Sequence, residues 1–239
     1  MAKYFCAHRG LSELTPENTL PAFAAAFALG ADEIEFDVRL TADEKLIVSH
    51  DDKLERISDG HGKVSESTLD YLLSCNVGVH KGWIAHFCTP EEVFEHFANK
   101  MTFNIHLKEH GNDGILVKRL LELVEKHNAY NSVYFAASPG ELYWLQKLAP
   151  DIPRAAIQLP GDEIGIYEMA KKYGCSKVQL WRDMFDEELI LHLHNNGILC
   201  NMFWADTVED YDKYFSLGID TLLTNRMDIA ADYKKRLNL

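Results

Sequence analysis

The chain has 239 residues, 47% hydrophobic and 26% charged, a balance that excludes a disordered tail, a collagen-like repeat and a coiled coil and is enough for a large core. Lys and Arg number 24 against 37 Asp and Glu, giving a formal net charge of −13. Such a chain lacks the basic surface that nucleic-acid binding requires, and an anionic substrate must be attracted by local cations against the overall field.

Met1-Ala2-Lys3 leads straight into Tyr4-Phe5-Cys6-Ala7, without the charged region and apolar core of a secretory leader. The predicted strands are Tyr4–Ala7, Glu33–Val38, Thr102–Leu107, Val133–Ala136, Arg154–Gln158, Lys177–Trp181, Leu199–Phe203 and Thr221–Leu223. Helical patterns lie near 17–29, 90–99, 114–127, 140–148, 162–173, 186–195, 207–217 and 228–237. Eight strands alternating with eight helices predict a parallel sheet closed into a (β/α)8 TIM barrel. An open doubly wound sheet is the second choice, because no GxGxxG follows the first strand. Thr15-Pro16-Glu17 and Thr89-Pro90-Glu91 read as helix starts, and Gly30, Gly174, Gly197 and Gly218 as left-handed stops. The alternation breaks once. Leu46–Ser49 reads as an extra strand, and residues 51–88 as a small, turn-rich insertion on the catalytic rim of a single domain spanning 1–239.

The longest apolar run, Leu20 to Ala31, is well short of the ~20 residues of a membrane span. Cys6, Cys75, Cys88, Cys175 and Cys200 form no CxxC pair and fit reduced, buried thiols. A cytoplasmic protein without a membrane span is expected.

A barrel keeps its chemistry where strands end and loops begin. There the sequence places His8-Arg9-Gly10, then Glu35 and Asp37, then His50-Asp51, then His106 and Lys108. Residues two apart on a strand point to one face. Glu35 and Asp37 alternate with Ile34, Phe36 and Val38, so their carboxylates need a cation or a buried ion pair. Two imidazoles, two carboxylates, an Arg and a Lys around one pocket describe phosphoryl chemistry. The carboxylates hold a hard cation, Arg9 and Lys108 neutralise a phosphodiester, and His8 and His50 serve as acid and base. His61, His80 and His86 read as polar loop, and His192 and His194 do not share a helix face. Trp181, Phe203 and Trp204 read as core or rim aromatics.

These motifs resemble the glycerophosphodiester phosphodiesterase family: His8-Arg9-Gly10, Pro16-Glu17-Asn18-Thr19, Gly30-Ala31-Asp32-x-Ile34-Glu35-x-Asp37-Val38 and Leu46-Ile47-Val48-Ser49-His50-Asp51. Gly60-x-Gly62-Lys63-Val64, Thr68-Leu69 and Gly218-Ile219-Asp220-Thr221 extend the likeness over nearly the whole chain. The resemblance implies a barrel that hydrolyses glycerophosphodiesters to glycerol 3-phosphate and an alcohol with a divalent cation, Mg2+ or Ca2+. It implies His8 and His50 as the acid–base pair, Arg9 and Lys108 on the phosphate, and Glu35 and Asp37 on the metal. Asn18 would brace the first loop.

Two departures follow. His106 stands where the family has a metal-binding glutamate, which makes Mn2+ or another borderline metal a further expectation. Phe203-Trp204-Ala205-Asp206 replaces Trp-Thr-x-Asn, and Thr224-Asn225 replaces Thr-Asp, which bears on the alcohol side of the pocket. Two rival readings stay open at this level: a non-catalytic phosphate-ligand sensor and a phospholipase D-like cyclising lyase. The expected partner is a small-molecule glycerophosphodiester; head group, metal, the order of the histidines and oligomeric state are left open.

Overall fold

The computed structural model describes residues 3–159, 161 and 164–237. Its strands are β1 (Tyr4–His8), β2 (Glu33–Leu40), β3 (Leu46–Val48), β4 (Thr102–Leu107), β5 (Val133–Ala137), β6 (Arg154–Ile157), β7 (Lys177–Trp181), β8 (Leu199–Phe203) and β9 (Thr221–Thr224). The order around the sheet is β1-β9-β8-β7-β6-β5-β4-β2, and β1 pairs back onto β2. Among the described residues, eight parallel strands therefore close into a TIM barrel, as expected. The helices are α1 (Leu20–Ala28), α2 (Leu69–Ser74), α3 (Pro90–Phe97), α4 (Ile115–Lys126), α5 (Pro139–Leu148), α6 (Ile166–Tyr173), α7 (Glu187–Asn195), α8 (Val208–Ser216) and α9 (Met227–Leu237).

Alternation along the strands builds two layers. Phe5, Ile34, Phe36, Phe103, Ile105 and Phe135 point outward into the fully buried layer beneath the helices. Inward positions mix a small apolar cluster, with Ala136, Ala155, Ile157 and Leu223, and polar side chains. Asn104 on β4 donates to Gln179 on β7 at 2.8 Å, and Tyr134 on β5 donates to Glu33 on β2 at 2.6 Å. Neither pair is on neighbouring strands, so these bonds cross the barrel and form a polar floor below its mouth. Burial raises the Glu33 carboxyl, with Lys177 opposing.

Strand ends agree with the sequence reading to within two residues. Two helix starts differ. The helix expected from 162 begins at Ile166, and residues 162 and 163 lie outside the described residues. The helix expected from 17 begins at Leu20, capped by Thr19 accepting from the Ala22 N–H. Thr15-Pro16-Glu17 is a turn: Thr15 donates to the Leu11 carbonyl, and the Glu17 and Asn18 side chains reach into the barrel mouth. The second cap signature forms as read, with Thr89 and Glu92 in a reciprocal capping box. Gly30, Gly174, Gly197 and Gly218 all take positive φ beyond their helices.

The extra strand β3 runs antiparallel to the end of β2, pairing Val48 with Val38, and the Ser49 N–H donates to the Asp37 carbonyl at 3.0 Å. That return brings His50 back to the mouth. Between β3 and α3 the chain makes a separate small core from Ile47, Leu54, Ile57, Val64, Leu72 and Phe87. The five cysteines are buried and free. No described helix is long and apolar enough to cross a membrane.

Candidate active site

β1 delivers His8-Arg9-Gly10 to the mouth through a tight turn in which Arg9 and Gly10 have φ of 56° and 82°. A Cβ on Gly10 would lie 2.6 Å from the backbone of Ala22, so only glycine fits. The turn folds Arg9 back over β2. Its backbone N–H donates to Glu35 Oε2 at 3.0 Å, its Nε lies 3.4 Å from Asp37 Oδ2, and its Nη1 donates to Glu17 Oε1 at 2.8 Å. Asn18, also at positive φ, donates from Nδ2 to Asp37 Oδ2 at 2.9 Å. The β2–β4 register sets His106 beside Asp37. His106 Nδ1 stands 3.2 Å from Asp37 Oδ1 and 3.7 Å from Glu35 Oε1, and Lys108 Nζ stands 3.6 Å from Asp37 Oδ1.

Glu35 and Asp37 are fully buried. Burial alone would raise the Asp37 carboxyl, yet the close His106 imidazole and the charges of Arg9 and Lys108 hold it well below the usual range. For His106 the balance has the opposite sign. Burial lowers it, but the contacts with Asp37 and Glu35 win and raise it. One oxygen of each carboxylate, Glu35 Oε1 and Asp37 Oδ1, is buried without a hydrogen bond. These are the oxygens that face His106, and donor atoms of Glu35, Asp37 and His106 all lie within 4.8 Å of one another. Two orphaned carboxylate oxygens beside an imidazole nitrogen suit a divalent cation.

The two histidines are held differently. Asn225 donates its amide to Asp206 Oδ2 at 2.9 Å, which turns its Oδ1 toward His8 Nδ1 at 2.8 Å. An amide oxygen only accepts, which favours the tautomer with the His8 proton on Nδ1 and Nε2 free, 3.9 Å from Glu35 Oε2. The Trp204 indole N–H lies against the same ring, 2.9 Å from Nδ1 and 3.3 Å from Nε2. His50 Nδ1 donates to Asp51 Oδ1 at 2.5 Å. Burial lowers both histidines below their ordinary value; the Glu35 charge opposes it at His8 and the Asp37 charge at His50. Arg56, from the 51–88 excursion, donates to Glu17 at 2.8 and 3.0 Å and also pairs with Asp51.

A cavity of about 280 Å3 opens over these groups. His8, Arg9, His50, His106 and Lys108 line one side; Ser138, Glu141, Ile157, Leu159, Trp181, Phe203 and Trp204 line the other. All seven residues singled out from sequence thus gather here, with Glu35 and Asp37 in direct contact beneath the lining. Sequence reasoning gave no role to Arg56 and Glu141, placed Asp206 and Asn225 on the alcohol side of the pocket rather than behind His8, and read Glu17 as a helix start. Pro16-Glu17-Asn18-Thr19 was the available signal for Glu17, and the altered 203–206 and 224–225 motifs for Asp206 and Asn225; Arg56 and Glu141 carry none. The remaining histidines are elsewhere: His61 is exposed, His86 pairs with the Cys75 carbonyl, and His192 packs on Tyr167. His194, Cys200 and Asp220 also cluster, at the opposite end of the strands, where the Asp220 carboxylate accepts from the Cys200 N–H at 2.7 Å and pairs with His194 at 2.8 Å.

The sequence profile of the glycerophosphoryl diester phosphodiesterase family matches residues 8–229. The chain is 29% identical to a glycerophosphodiester phosphodiesterase of Caldanaerobacter subterraneus subsp. tengcongensis over 92% of each chain. It is 33% identical to a human lysophospholipase D over 92% of this chain and 82% of that protein. Among solved structures, an Oleispira antarctica phosphodiesterase in complex with sn-glycerol-3-phosphate has the same fold, with a TM-score of 0.89 at 24% identity over 97% of both chains.

Proposed function

Since the chain belongs to the glycerophosphoryl diester phosphodiesterase family, we propose that it hydrolyses glycerophosphodiesters to glycerol 3-phosphate and an alcohol, with a divalent cation and with His8 and His50 moving the protons. One observation carries this reading: His8, with Nδ1 facing the Asn225 amide oxygen, and a carboxylate-backed His50 share one cavity with Arg9 and Lys108, above two buried carboxylates.

Glu35, Asp37 and His106 would hold the cation, which when bound adds positive charge against the phosphate. Arg9 and Lys108 orient the diester and offset the charge that grows in its transition state. His8 Nε2 takes the proton of a glycerol hydroxyl as that oxygen bonds to phosphorus. His50, whose imidazolium form the Asp51 carboxylate stabilises, gives a proton to the departing alcohol as its P–O bond breaks. In the second half His50 takes a proton from water, the water oxygen bonds to phosphorus, and His8 returns its proton to the glycerol oxygen. Asn225 holds the His8 tautomer through both halves.

In this reading the whole of 1–239 works as one barrel, with residues 51–88 as its rim, and five unpaired thiols suit the cytoplasm. The test is a metal-by-substrate activity matrix on EDTA-stripped protein, with glycerophosphocholine as first substrate and glycerol 3-phosphate as readout. Product should form only after a divalent ion is restored. Binding without turnover under every metal would favour a sensor, and a stable cyclic phosphate would favour a lyase.

A further inference from the structure

Hydrolysis as described uses only one side of the cavity. The opposite side, from β5 to β8, is built from a different chemistry. Trp181 and Trp204 meet with ring centroids 5.3 Å apart and planes at 87°, and Phe203 packs against both at 4.8 and 5.8 Å. Two perpendicular indoles make a corner rather than a flat wall. Phe203 and Trp204 are also among the residues that depart from the family sequence pattern.

Among the described residues, the lining of this side has one charged group, Glu141 in the first turn of α5. Its carboxylate has no hydrogen-bond or ion-pair partner among the described residues. A negative group lining a pocket for a phosphodiester works against binding of the anion, because the two charges repel across a poorly hydrated space. The repulsion turns into attraction if the far end of the substrate is positive. Aromatic faces beside a lone carboxylate are the chemistry that recognises an alkylammonium, through the ring quadrupoles and one counter-charge. A polyhydroxylated alcohol would instead need several hydrogen-bond partners, and besides Glu141 the described residues of this side offer few, Ser138 and the Trp181 indole N–H.

Resting on the phosphodiesterase reading, we propose that the Glu141, Trp181 and Trp204 wall selects diesters whose alcohol carries a cationic ammonium group, choline being the form that best fits an aromatic corner. Glu141 and Trp181 are then specificity residues, acting on the alcohol and not on phosphorus, while Trp204 also touches the His8 ring.

The experiment compares glycerophosphocholine with its uncharged carbon isostere, the 3,3-dimethylbutyl ester of glycerol 3-phosphate, so that shape is constant and only charge differs. The native enzyme should prefer the choline ester in kcat/KM by roughly ten-fold or more, mainly through KM, as expected for a partly desolvated cation–π site with a counter-charge. Glu141→Gln should reduce that ratio by roughly five-fold, and Glu141→Asp should retain part of it. A second measurement needs no variant: tetramethylammonium should inhibit hydrolysis of the neutral ester competitively, and neopentyl alcohol should not. Equal kcat/KM for the two esters in the native enzyme, or a ratio that Glu141→Gln leaves unchanged, overturns the proposal while leaving the hydrolysis reading intact. Cleavage of neither ester under any divalent ion removes both.

Discussion

The two sides of the barrel mouth are built on opposite principles. From β1 to β4, charged side chains from different elements converge: Asp37 alone faces Asn18, Arg9, His106 and Lys108. From β5 to β8, aromatic rings pack on one another and, among the described residues, a single carboxylate in the lining stands free. A fixed network of charges is what a transition state needs, since the groups must already be in place when charge develops. A wall of rings suits a part of the substrate that only has to be recognised. Chemistry and selection therefore sit on separate arcs of one ring of strands, and substitutions should separate them.

The largest effects belong to the charged arc. His8→Ala and His50→Ala should each lower kcat by about 10²–10⁴, the range for losing a general acid or base, with an unchanged circular-dichroism spectrum. Trp181→Leu, on the other arc, should lower kcat by less than about ten-fold and act mainly on KM, because it removes binding shared by ground and transition states. Equal losses of kcat in His8→Ala and Trp181→Leu would mean that the two arcs are not distinct.

Within the charged arc the carboxylates should differ. Asp37→Asn leaves Arg9 and Lys108 buried against fewer counter-charges, so the EDTA-stripped protein should lose on the order of 2–3 kcal/mol, somewhat below a fully broken buried pair because Glu17 and Glu35 remain. Glu35→Gln should cost less, since the main partner of Glu35 is a backbone N–H of Arg9. Both variants should weaken binding of divalent ions in calorimetric titrations. Unchanged titrations in both would refute Glu35 and Asp37 as ligands.

Much of this division was legible in the sequence, and only one side of it. Four short motifs at strand ends carry the charged arc, and the two-residue period of a strand is enough to point Glu35 with Asp37, and His106 with Lys108, the same way. The other arc is scattered as single residues at 141, 181 and 204, with no period to join them. His8 and Asn225 pair across 217 positions, a contact that only the closure of β9 onto β1 creates. The misread helix start has the same origin. At Thr89 a cap, a proline and an acid satisfy one another locally. At Thr15 the same three residue types belong to the site, because Glu17 is drawn to Arg9 and Asn18 to Asp37, and the helix waits for Thr19.

His106 tests how far the charged arc depends on the chemistry of its donors. An imidazole supplies a neutral nitrogen where a carboxylate would supply a charged oxygen, and calcium gains most from charged oxygens. His106→Glu should therefore raise the affinity for Ca2+ relative to Mn2+, by roughly ten-fold in titrations of the stripped protein. If the ratio of the two affinities does not move, His106 only supports the carboxylates and does not bind the ion.

The smallest expected effect concerns Arg56, which holds the charged arc together from outside. Its side chain is 46% exposed, yet it bridges Glu17, the partner of Arg9, and Asp51, the partner of His50. The phosphate cation and the proton donor are thus linked by a continuous chain of ion pairs anchored in the 51–88 excursion. Exposed ion pairs contribute about 0–1 kcal/mol each, so Arg56→Met should shift the melting temperature only slightly. Its effect should fall on geometry: a roughly three- to ten-fold loss of kcat, modest beside the larger losses that a misplacement of about 1 Å can cause. The sign of the pH dependence separates positioning from simple loosening. Removing the guanidinium leaves the Asp51 carboxylate freer to stabilise the His50 imidazolium, so the His50 limb of the kcat profile should move to higher pH. Arg56→Lys should restore charge but not the paired contacts with Glu17, and so recover the pH limb more fully than the rate. A variant with native kcat and a native pH profile would show that the rim excursion only covers the barrel and does not set the position of the groups that act on phosphorus.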